Sequence, residues 1–295
     1  MRFVHIALVI VITSVIAGVS AGARAQDAGA DGWADILRRE QARGAPLPRL
    51  STLVPGLDLE LAYAIQESLV AAERIERGIG GYKAGFTAAP AQARFGLTAP
   101  VYGVLYADGE HHDGAVVELG DFARPMVELE IGFRLRSAIR RPMKSIEDLR
   151  TYVREAVPAV ELPDLDYEDA GQLTGLDVVA TNVASRAYVV GKPFVLAELA
   201  TINELSVALY RDGERIDEGH AKNAMGDQLA ALLWLVNRVQ AAGWPLEAGQ
   251  LLITGTLGRI NPAAPGHYRA EYRAGAAPRG ALEFTLAGAA QARAK

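Results

Sequence analysis

The sequence predicts an α+β fold, built on a rolled or sandwiched mixed β-sheet with a few inserted helices. Short segments rich in β-branched, aromatic and other apolar residues recur along most of the chain after residue 80. The helical patterns are few and do not alternate regularly with the strands, which argues against a Rossmann or TIM-barrel architecture. The 295 residues include no cysteine, so the fold must depend on its hydrophobic core rather than on disulfides.

The first 25 residues have the pattern of a secretory signal peptide. A positive start, Met1-Arg2, precedes an apolar stretch over residues 3–19, and Ala23-Arg24-Ala25 supplies the small residues of a cleavage site. The alternative is an uncleaved membrane anchor, for which the apolar stretch is short. We therefore expect cleavage after Ala25 and a periplasmic or secreted protein that has no stable membrane association.

Residues 26–79 form a predicted helical N-terminal region. Residues 33–42 have helical composition, and the glycine and prolines within residues 44–48 end that helix. Asp58 can cap a second helix, which ends near Gly78. Apolar side chains share one face of this second helix at Leu61, Ile65 and Leu69.

Residues 80–295 form the predicted main domain, which is divided into many short strands. Strands are predicted at residues 102–106, 127–135, 160–162, 178–183, 187–190, 251–254, 268–272 and 282–286. Ser145 can cap a helix with Asp148 as its capping-box partner, and we expect this helix to stop before Pro158. A second helix is predicted over residues 227–242, where leucine and valine side chains share one face.

The charge and the absent motifs argue against several classes of protein. The formal net charge is −5, and the loss of Arg2 and Arg24 with the signal peptide makes the chain more acidic. Such a protein is a poor candidate for binding nucleic acid or anionic membranes. The sequence has no P-loop, no dinucleotide fingerprint and no thiolate ligand for a metal. A small anionic substrate would need a local cation, which a metal ion or a lysine could supply.

Two carboxylates at spacing i, i+2 are the main functional signal in the sequence. Glu128 and Glu130 lie in the predicted strand 127–135, so their side chains point to the same face. Like charges on a half-buried face repel each other, and a hard divalent cation between them removes that repulsion. The alternative is an exposed edge strand whose glutamates face water.

A third carboxylate supports the metal interpretation. Glu161 lies inside another apolar strand, one helix further along the chain, and can return to the same site. Three carboxylates together with water suit Mg²⁺ or Mn²⁺, which prefer octahedral oxygen coordination. Asp164 could be a fourth ligand or a group close to the site, or simply a turn residue that follows Pro163.

Lys83 is the candidate for acid–base chemistry. It lies among glycine and apolar residues in the segment 80–87. Beside a metal, a lysine can act as a general acid or base, or can pair with a substrate carboxylate. The alternative is a surface lysine in a loop.

The motifs, taken in order, resemble those of a known family. They are Gly81-Tyr82-Lys83-Ala84-Gly85, Tyr102-Gly103-Val104-Leu105, Glu128-x-Glu130-Ile131-x-Phe133, Glu161-x-x-Asp164, Asn182-x-x-Ser185 and Leu252-Ile253-Thr254-Gly255-Thr256-Leu257-Gly258. Their order resembles the 2-keto-4-pentenoate hydratases, which belong with the 4-oxalocrotonate decarboxylases in the fumarylacetoacetate hydrolase superfamily. The resemblance covers nearly all of the chain after the signal peptide, and it depends on the shared order rather than on any single motif.

The resemblance implies a fold, a reaction and a site. The fold would be a fumarylacetoacetate-hydrolase-like mixed β-roll in a catalytic domain over residues 80–295. The reaction would be that of a hydro-lyase, in which water adds to a 2-hydroxydienoate or 2-oxoenoate and gives a 4-hydroxy-2-oxoacid. The substrate would be a small anionic 2-oxoacid, and homo-oligomers are common in the family.

The resemblance also implies roles for residues of this chain. The metal, Mg²⁺ or Mn²⁺, would be held by Glu128, Glu130 and Glu161. Lys83 would be the active-site lysine, and Ser185 would place a catalytic hydroxyl near the substrate. The implied substrate-binding residues are Asp164, Arg186, Thr254 and Thr256, with the two threonines at the pocket wall.

The chain departs from the family pattern at several positions. Val101 stands where the hydratases carry an aspartate, Thr181 stands where an acidic residue precedes Asn182, and Asp227-Gln228 replaces a His-Pro pair. Arg186 replaces a glycine. It could bind a second carboxylate, which would favour a dicarboxylic substrate, or it could be a solvated arginine at a strand end.

These departures leave alternative functions open. One alternative is a decarboxylase or a C–C hydrolase of the same superfamily. Another is a non-catalytic periplasmic 2-ketoacid-binding protein that has kept the metal site but lost its proton-transfer groups. A purely structural component of an oligomer would have no affinity for a metal.

Overall fold

The computed structural model describes residues 29–194 and 199–288. The predicted signal peptide, residues 1–25, lies outside the described residues. The helices are α1 (Ala30–Ala42), α2 (Leu50–Leu53), α3 (Leu59–Arg77), α4 (Ala89–Arg94), α5 (Ile146–Arg150), α6 (Gly175–Ala180) and α7 (Gln228–Ala241). In the described ranges no helix is both long enough and apolar enough to cross a membrane.

The strands form two sheets. They are β1 (Ile79–Gly85), β2 (Val101–Tyr106), β3 (Glu110–His112), β4 (Ala115–Glu118), β5 (Met126–Leu135), β6 (Val153–Leu162), β7 (Ala187–Val190), β8 (Leu205–Arg211), β9 (Glu214–His220), β10 (Leu251–Ile253), β11 (Asn261–Pro262), β12 (Gly266–Ala274) and β13 (Ala277–Ala287). The larger sheet has the order β2-β1-β10-β5-β6-β7-β3, with β11 also paired to β5. The smaller sheet has the order β4-β13-β12-β8-β9. Both sheets are mixed, since β1 with β10, β3 with β7 and β4 with β13 are parallel pairs.

The helices before β1 form a layer with its own hydrophobic cluster. Helix α3 begins as predicted, because the Asp58 carboxylate accepts a hydrogen bond from the Leu61 N–H at 2.8 Å. It ends at Gly78, whose φ of 66° is easy only for glycine. The buried face of α3 contacts α1 and α6. Since this cluster also contains residues that follow β1, the predicted domain boundary at residues 79 and 80 stays a prediction.

The inner faces of the two sheets form the main core, which lies directly behind β5 and β6. Tyr272 on β12 is fully buried. Its hydroxyl lies 2.7 Å from the carbonyl oxygen of Glu130 and 2.9 Å from that of Ala159. The second sheet is therefore joined by hydrogen bonding to the two strands that carry the predicted metal ligands.

The predicted strand over residues 178–183 is wrong. Helix α6 occupies residues 175–180, and a left-handed turn follows it. Thr174 and Asp177 form a capping box that starts this helix. The valines that suggested a strand are buried between α3 and β2, where an apolar run is equally suited to a short buried helix.

The helix after Ser145 ends before Pro158, as predicted, but it is short. Helix α5 stops at Arg150, and Pro158 lies within β6 rather than beyond a helix. Its carbonyl accepts from the Gly191 N–H at 2.9 Å, just after β7 has ended. The nitrogen of Pro158, like its carbonyl, faces the side of β7, and β7 has already ended there. The proline therefore removes no hydrogen bond between β6 and β7.

Candidate metal centre and active site

Adjacent strands bring the three predicted carboxylates together. Glu128 on β5 lies directly opposite Glu161 on β6, and Glu130 lies two residues along on the same face of β5. One carboxylate oxygen of each residue lies within 4.8 Å of the others. Since β5 is an interior strand between β10 and β6 and Glu130 is 1% exposed, the alternative of an exposed edge strand is wrong.

Burial and mutual repulsion dominate the electrostatics of this cluster. Burial, with the Glu161 charge as a smaller cause, raises the pKa of Glu128 to about 7. Burial and the two neighbouring carboxylates hold the pKa of Glu130 well above its ordinary value. Burial also raises the pKa of Glu161, although Lys83 opposes this shift. The protein without a cation therefore tends to keep protons on these groups, and a cation would replace them.

The donor set fits a hard divalent cation. The Oε2 atom of Glu161 is buried and has no hydrogen-bond partner in the part of the chain that the structure describes. Buried polar atoms without a partner are rare and need an explanation. A divalent cation held by Glu128, Glu130 and Glu161 would satisfy this oxygen and remove the repulsion, and all three donors are the oxygens that Mg²⁺ and Mn²⁺ prefer.

Lys83 lies on β1, and its side chain reaches the carboxylate cluster. Its side chain is only 3% exposed, so the alternative of a surface lysine is wrong. The ammonium group forms an ion pair with Glu161 and donates to the carbonyl oxygen of Val183 at 3.0 Å. Lys83 thus places a positive charge and hydrogen-bond donors beside the three carboxylates.

A left-handed turn positions the carbonyl that Lys83 contacts. Asn182, Val183 and Ala184 have φ values of 56°, 52° and 54°, a conformation that costs of the order of 1–3 kcal/mol for each such residue. The Asn182 side chain stabilises the turn, because its Oδ1 accepts from the Val104 N–H at 2.7 Å and its Nδ2 donates to the Val104 carbonyl at 2.9 Å. At Gly103, a Cβ would lie 3.1 Å from the Val183 side chain, so the glycine lets the turn approach β2.

A second backbone contact supports Glu130. Its Oε2 accepts a hydrogen bond from the Gly255 N–H at 2.6 Å. Gly255 has a φ of 106°, and a Cβ there would come within 2.3 Å of the Thr87 hydroxyl. This position therefore requires glycine.

The two predicted threonines differ in their surroundings. Thr254 is fully buried, and its hydroxyl lies 2.5 Å from Gln228 Oε1 and 3.2 Å from the Ile131 carbonyl oxygen. The Thr256 hydroxyl is also buried but has no hydrogen-bond partner among the described residues. Of the two, only Thr256 thus has a hydroxyl without a hydrogen-bond partner among the described residues.

The other predicted site residues line a separate cavity of about 480 Å³, beside the N-terminal helices. Asp164, Ser185 and Arg186 line it, whereas Lys83 and the three glutamates do not. The turn at residues 182–184 separates this cavity from the carboxylate cluster. Asn182 and Ala184 line the cavity, whereas the Val183 carbonyl faces Lys83.

The contacts of Asp164 and Arg186 hold local structure. The Asp164 carboxylate accepts from the backbone N–H groups of Ala123 and Arg124 at 2.9 and 2.6 Å, so it holds the segment that leads into β5. The Arg186 guanidinium donates to the Asp121 carbonyl at 3.1 Å and lies over the Phe122 ring. Neither residue belongs to the carboxylate cluster around Glu161.

The departures from the family pattern have structural roles here. Val101 is fully buried in β2. The Thr181 hydroxyl forms hydrogen bonds to Tyr167 and to the Asp177 carbonyl. Asp227 caps α7, because its carboxylate accepts from the Ala230 N–H at 2.8 Å.

Several supporting residues were not predicted from the sequence. They are Asn182 as the support of the turn, Gly255 as the donor to Glu130, Gln228 as the partner of Thr254, and Tyr272 behind β5 and β6. Of these four residues, Gly255 is the one that the sequence pattern could have indicated, since a glycine directly after a buried strand often marks an unusual backbone conformation.

Comparison with known proteins identifies relatives over most of the chain. No protein-family profile matches it. It is 32% identical over 237 residues to a 2-keto-4-pentenoate hydratase of Burkholderia vietnamiensis, covering 79% of this chain and 90% of that protein. It is 31% identical over 239 residues to the TodF product hydratase of Pseudomonas putida, covering 79% and 87%. A 2-oxo-hept-4-ene-1,7-dioate hydratase of Escherichia coli is 28% identical over 235 residues, covering 78% and 86%.

Solved structures share the fold. The 4-oxalocrotonate decarboxylase from Pseudomonas putida G7, complexed with magnesium and adipate, superposes with a TM-score of 0.79 at 23% identity and covers 88% of this chain and 97% of that one. A 2-hydroxyhepta-2,4-diene-1,7-dioate isomerase from Mycobacterium marinum gives a TM-score of 0.52 at 13% identity, covering 71% and 76%. These likenesses confirm the predicted α+β fold.

Proposed function

Because the chain belongs to the 2-keto-4-pentenoate hydratase family of the fumarylacetoacetate hydrolase superfamily, we propose that it is a divalent-metal-dependent hydro-lyase. Its substrate would be a small 2-hydroxydienoate or 2-oxoenoate, and its product a 4-hydroxy-2-oxoacid. The cofactor would be Mg²⁺ or Mn²⁺. One observation carries the proposal: a buried lysine is paired with Glu161 in a cluster of three carboxylates, two of them buried and one half-buried.

The cluster supplies the two requirements of this reaction. Negative charge develops on the 2-oxo oxygen of the substrate, and a divalent cation held by Glu128, Glu130 and Glu161 would stabilise that charge as a Lewis acid. A proton must also leave the enol oxygen and reach the carbon chain, and water must then add its hydroxyl to C4 and a proton to C3. Lys83 is the group beside the carboxylates that can carry such protons.

The protein also holds Lys83 in one place. The Val183 carbonyl and Glu161 fix its ammonium group from two directions, so little reorganisation is needed before a proton transfer. Ser185 remains a second catalytic candidate. Asp164, Arg186, Thr254 and Thr256 remain candidates for substrate binding, and the unpartnered hydroxyl of Thr256 favours it among them.

The reaction is tested directly with the chain that begins at Gln26, stripped of metal. The ultraviolet absorbance of 2-hydroxypenta-2,4-dienoate should fall only when Mg²⁺ or Mn²⁺ is added, and 4-hydroxy-2-oxopentanoate should form. Lys83→Ala should abolish turnover while the metal still binds, whereas the exposed Lys222 provides a matched control, Lys222→Ala, with unchanged turnover.

Other outcomes would overturn the proposal. Release of CO₂ from a 2-oxoacid would identify a decarboxylase. No turnover, with metal-dependent protection by oxalate or pyruvate against thermal unfolding, would identify a binding protein that has lost its chemistry.

We also propose that the protein is exported, on the signal-peptide pattern of residues 1–25. N-terminal sequencing of the protein recovered from the periplasm should begin at Gln26, and recovery of the full chain from the cytoplasm would contradict export. A homo-oligomeric state, proposed from the family resemblance, can be measured by light scattering during size-exclusion chromatography.

A further inference from the structure

An irregular segment, residues 254–263, supports one side of the strand that carries Glu128 and Glu130. The Thr254 N–H donates to the Ile131 carbonyl at 3.2 Å, and the Leu257 N–H donates to the Leu129 carbonyl at 2.8 Å. Further along, Asn261 pairs with Val127 in the short strand β11. Since the segment has no continuous ladder, other contacts must fix its position.

Asp217 on β9 makes the main polar contact to this segment from the second sheet. Its carboxylate is 1% exposed. Asp217 Oδ2 accepts from the Arg259 backbone N–H at 2.9 Å and from Asn261 Nδ2 at 3.0 Å, and the Arg259 guanidinium lies 3.4 Å from Oδ1. A buried carboxylate is costly unless such donors satisfy it, so the segment and Asp217 depend on each other.

The fit around Asp217 is close on both sides. A Cβ at Gly258 would lie 2.3 Å from Asp217 Oδ2, and one at Gly219 would lie 1.9 Å from the Leu257 carbonyl oxygen. Asn223 adds a hydrogen bond from Nδ2 to that same carbonyl at 2.7 Å. The segment therefore lies directly against the backbone of the second sheet and has little room to shift while Asp217 holds it.

We propose that Asp217 is a positioning residue of the metal centre. By holding residues 257–261, it keeps the Gly255 N–H on Glu130 Oε2 at 2.6 Å and keeps the first half of β5, with Glu128, in register. Groups that orient metal ligands in this way tune the affinity of the site. The proposal rests on the metal centre of the proposed function but not on its chemistry.

The first test is the substitution D217N, which preserves the shape of the side chain but removes its charge and leaves one oxygen to accept from the donors of Arg259 and Asn261. Mn²⁺ affinity, measured by electron paramagnetic resonance on the metal-stripped chain from Gln26, should fall by roughly tenfold, the lower end of the usual effect of groups that orient metal ligands. Hydrogen exchange at the Gly255 amide should become faster.

Asp212 offers a matched control on the same β-hairpin. Its carboxylate accepts from the His267 N–H at 2.8 Å, away from the segment 254–263. D212N should therefore leave Mn²⁺ affinity and Gly255 exchange unchanged, even where it lowers the unfolding temperature.

The proposal is overturned by either of two results. One is a D217N variant that loses thermal stability but keeps its Mn²⁺ affinity and its Gly255 exchange rate. The other is an equal loss of affinity in D217N and D212N. An unsubstituted chain that binds Mn²⁺ but does not hydrate the dienoate would overturn the proposed function and leave this proposal intact.

Discussion

Replacement of Lys83 by methionine should separate the structural and chemical roles of this lysine. Methionine keeps an unbranched apolar side chain in much the same space and removes the ammonium group, with its charge and its hydrogen bond to the Val183 carbonyl. In the metal-free protein, Glu161 then loses its cationic partner while Glu128 and Glu130 remain close to it. We expect Lys83→Met to destabilise the metal-free protein strongly and the metal-bound protein much less.

The size of this effect follows from the burial of the pair. Lys83 and Glu161 are 3% and 1% exposed, and removal of one partner of a buried ion pair costs about 3–5 kcal/mol. For a domain near this size, that loss lowers the unfolding temperature by roughly 6–20 °C. A bound divalent cation compensates Glu161 instead, so saturating Mg²⁺ should recover most of the difference.

Thermal unfolding in EDTA and in excess Mg²⁺, together with turnover of 2-hydroxypenta-2,4-dienoate, measures both roles. Turnover should fall by about 10²–10⁴-fold, the usual contribution of a general acid or base. Lys222→Met is the matched control and should change neither quantity. An equal loss of stability with and without Mg²⁺ would refute the electrostatic reasoning, and undiminished turnover would refute the catalytic role.

Two further predictions concern the cluster and the turn beside it. The pKa of Glu128 is raised to about 7 in the folded metal-free protein, so protonation of this group stabilises the fold at low pH. This contribution to the free energy of unfolding is lost as the pH rises from the pKa of Glu128 in the unfolded chain to about 7. Protons on Glu128 and Glu130 compete with the metal, so Mg²⁺ affinity measured by calorimetry should rise by at least about tenfold per pH unit below pH 7; a flat profile would contradict this. Asn182→Ala removes both hydrogen bonds to Val104 and should cost about 1–3 kcal/mol in chemical denaturation, with a larger effect on kcat than on KM; unchanged kinetics would show that the turn does not position Lys83.

The carboxylate cluster could be predicted from the sequence because its geometry is local. Alternation along a strand places Glu128 and Glu130 on one face, and an antiparallel neighbour brings Glu161 opposite them. Local patterns do not predict the burial of Lys83, because β1 is rich in glycine and has a weak strand signal. That Lys83 lies in an interior strand follows from its pairing with β2 and β10, which is a long-range property.

The left-handed turn could not be predicted in the same way. Its sequence, Asn182-Val183-Ala184, includes a β-branched residue that ordinarily avoids positive φ. Only the hydrogen bonds from Asn182 to β2 and the space left by Gly103 make this conformation possible. Both depend on a strand about eighty residues earlier in the chain, which local patterns do not reveal.

The hairpin between β8 and β9 was missed although a signal was present. Asp212 and Gly213 connect the two strands, and both have positive φ, as expected for a two-residue turn of this composition. Asp217 on the same hairpin carried no signal of its own. Its importance arises from its contact with Arg259 and Asn261, some forty residues further along the chain.

The hydroxyl of Tyr272 determines which side of the site can open. Because it joins the carbonyls of Glu130 and Ala159 to the second sheet, separation of the sheets at this point would break hydrogen bonds and expose the main core together. Local opening is least costly where the fewest core contacts are lost. The N-terminal helices and α6 form a separate hydrophobic cluster on the other side of the turn at residues 182–184, so opening of this helical layer would leave the main core and the hydrogen bonds of Tyr272 intact.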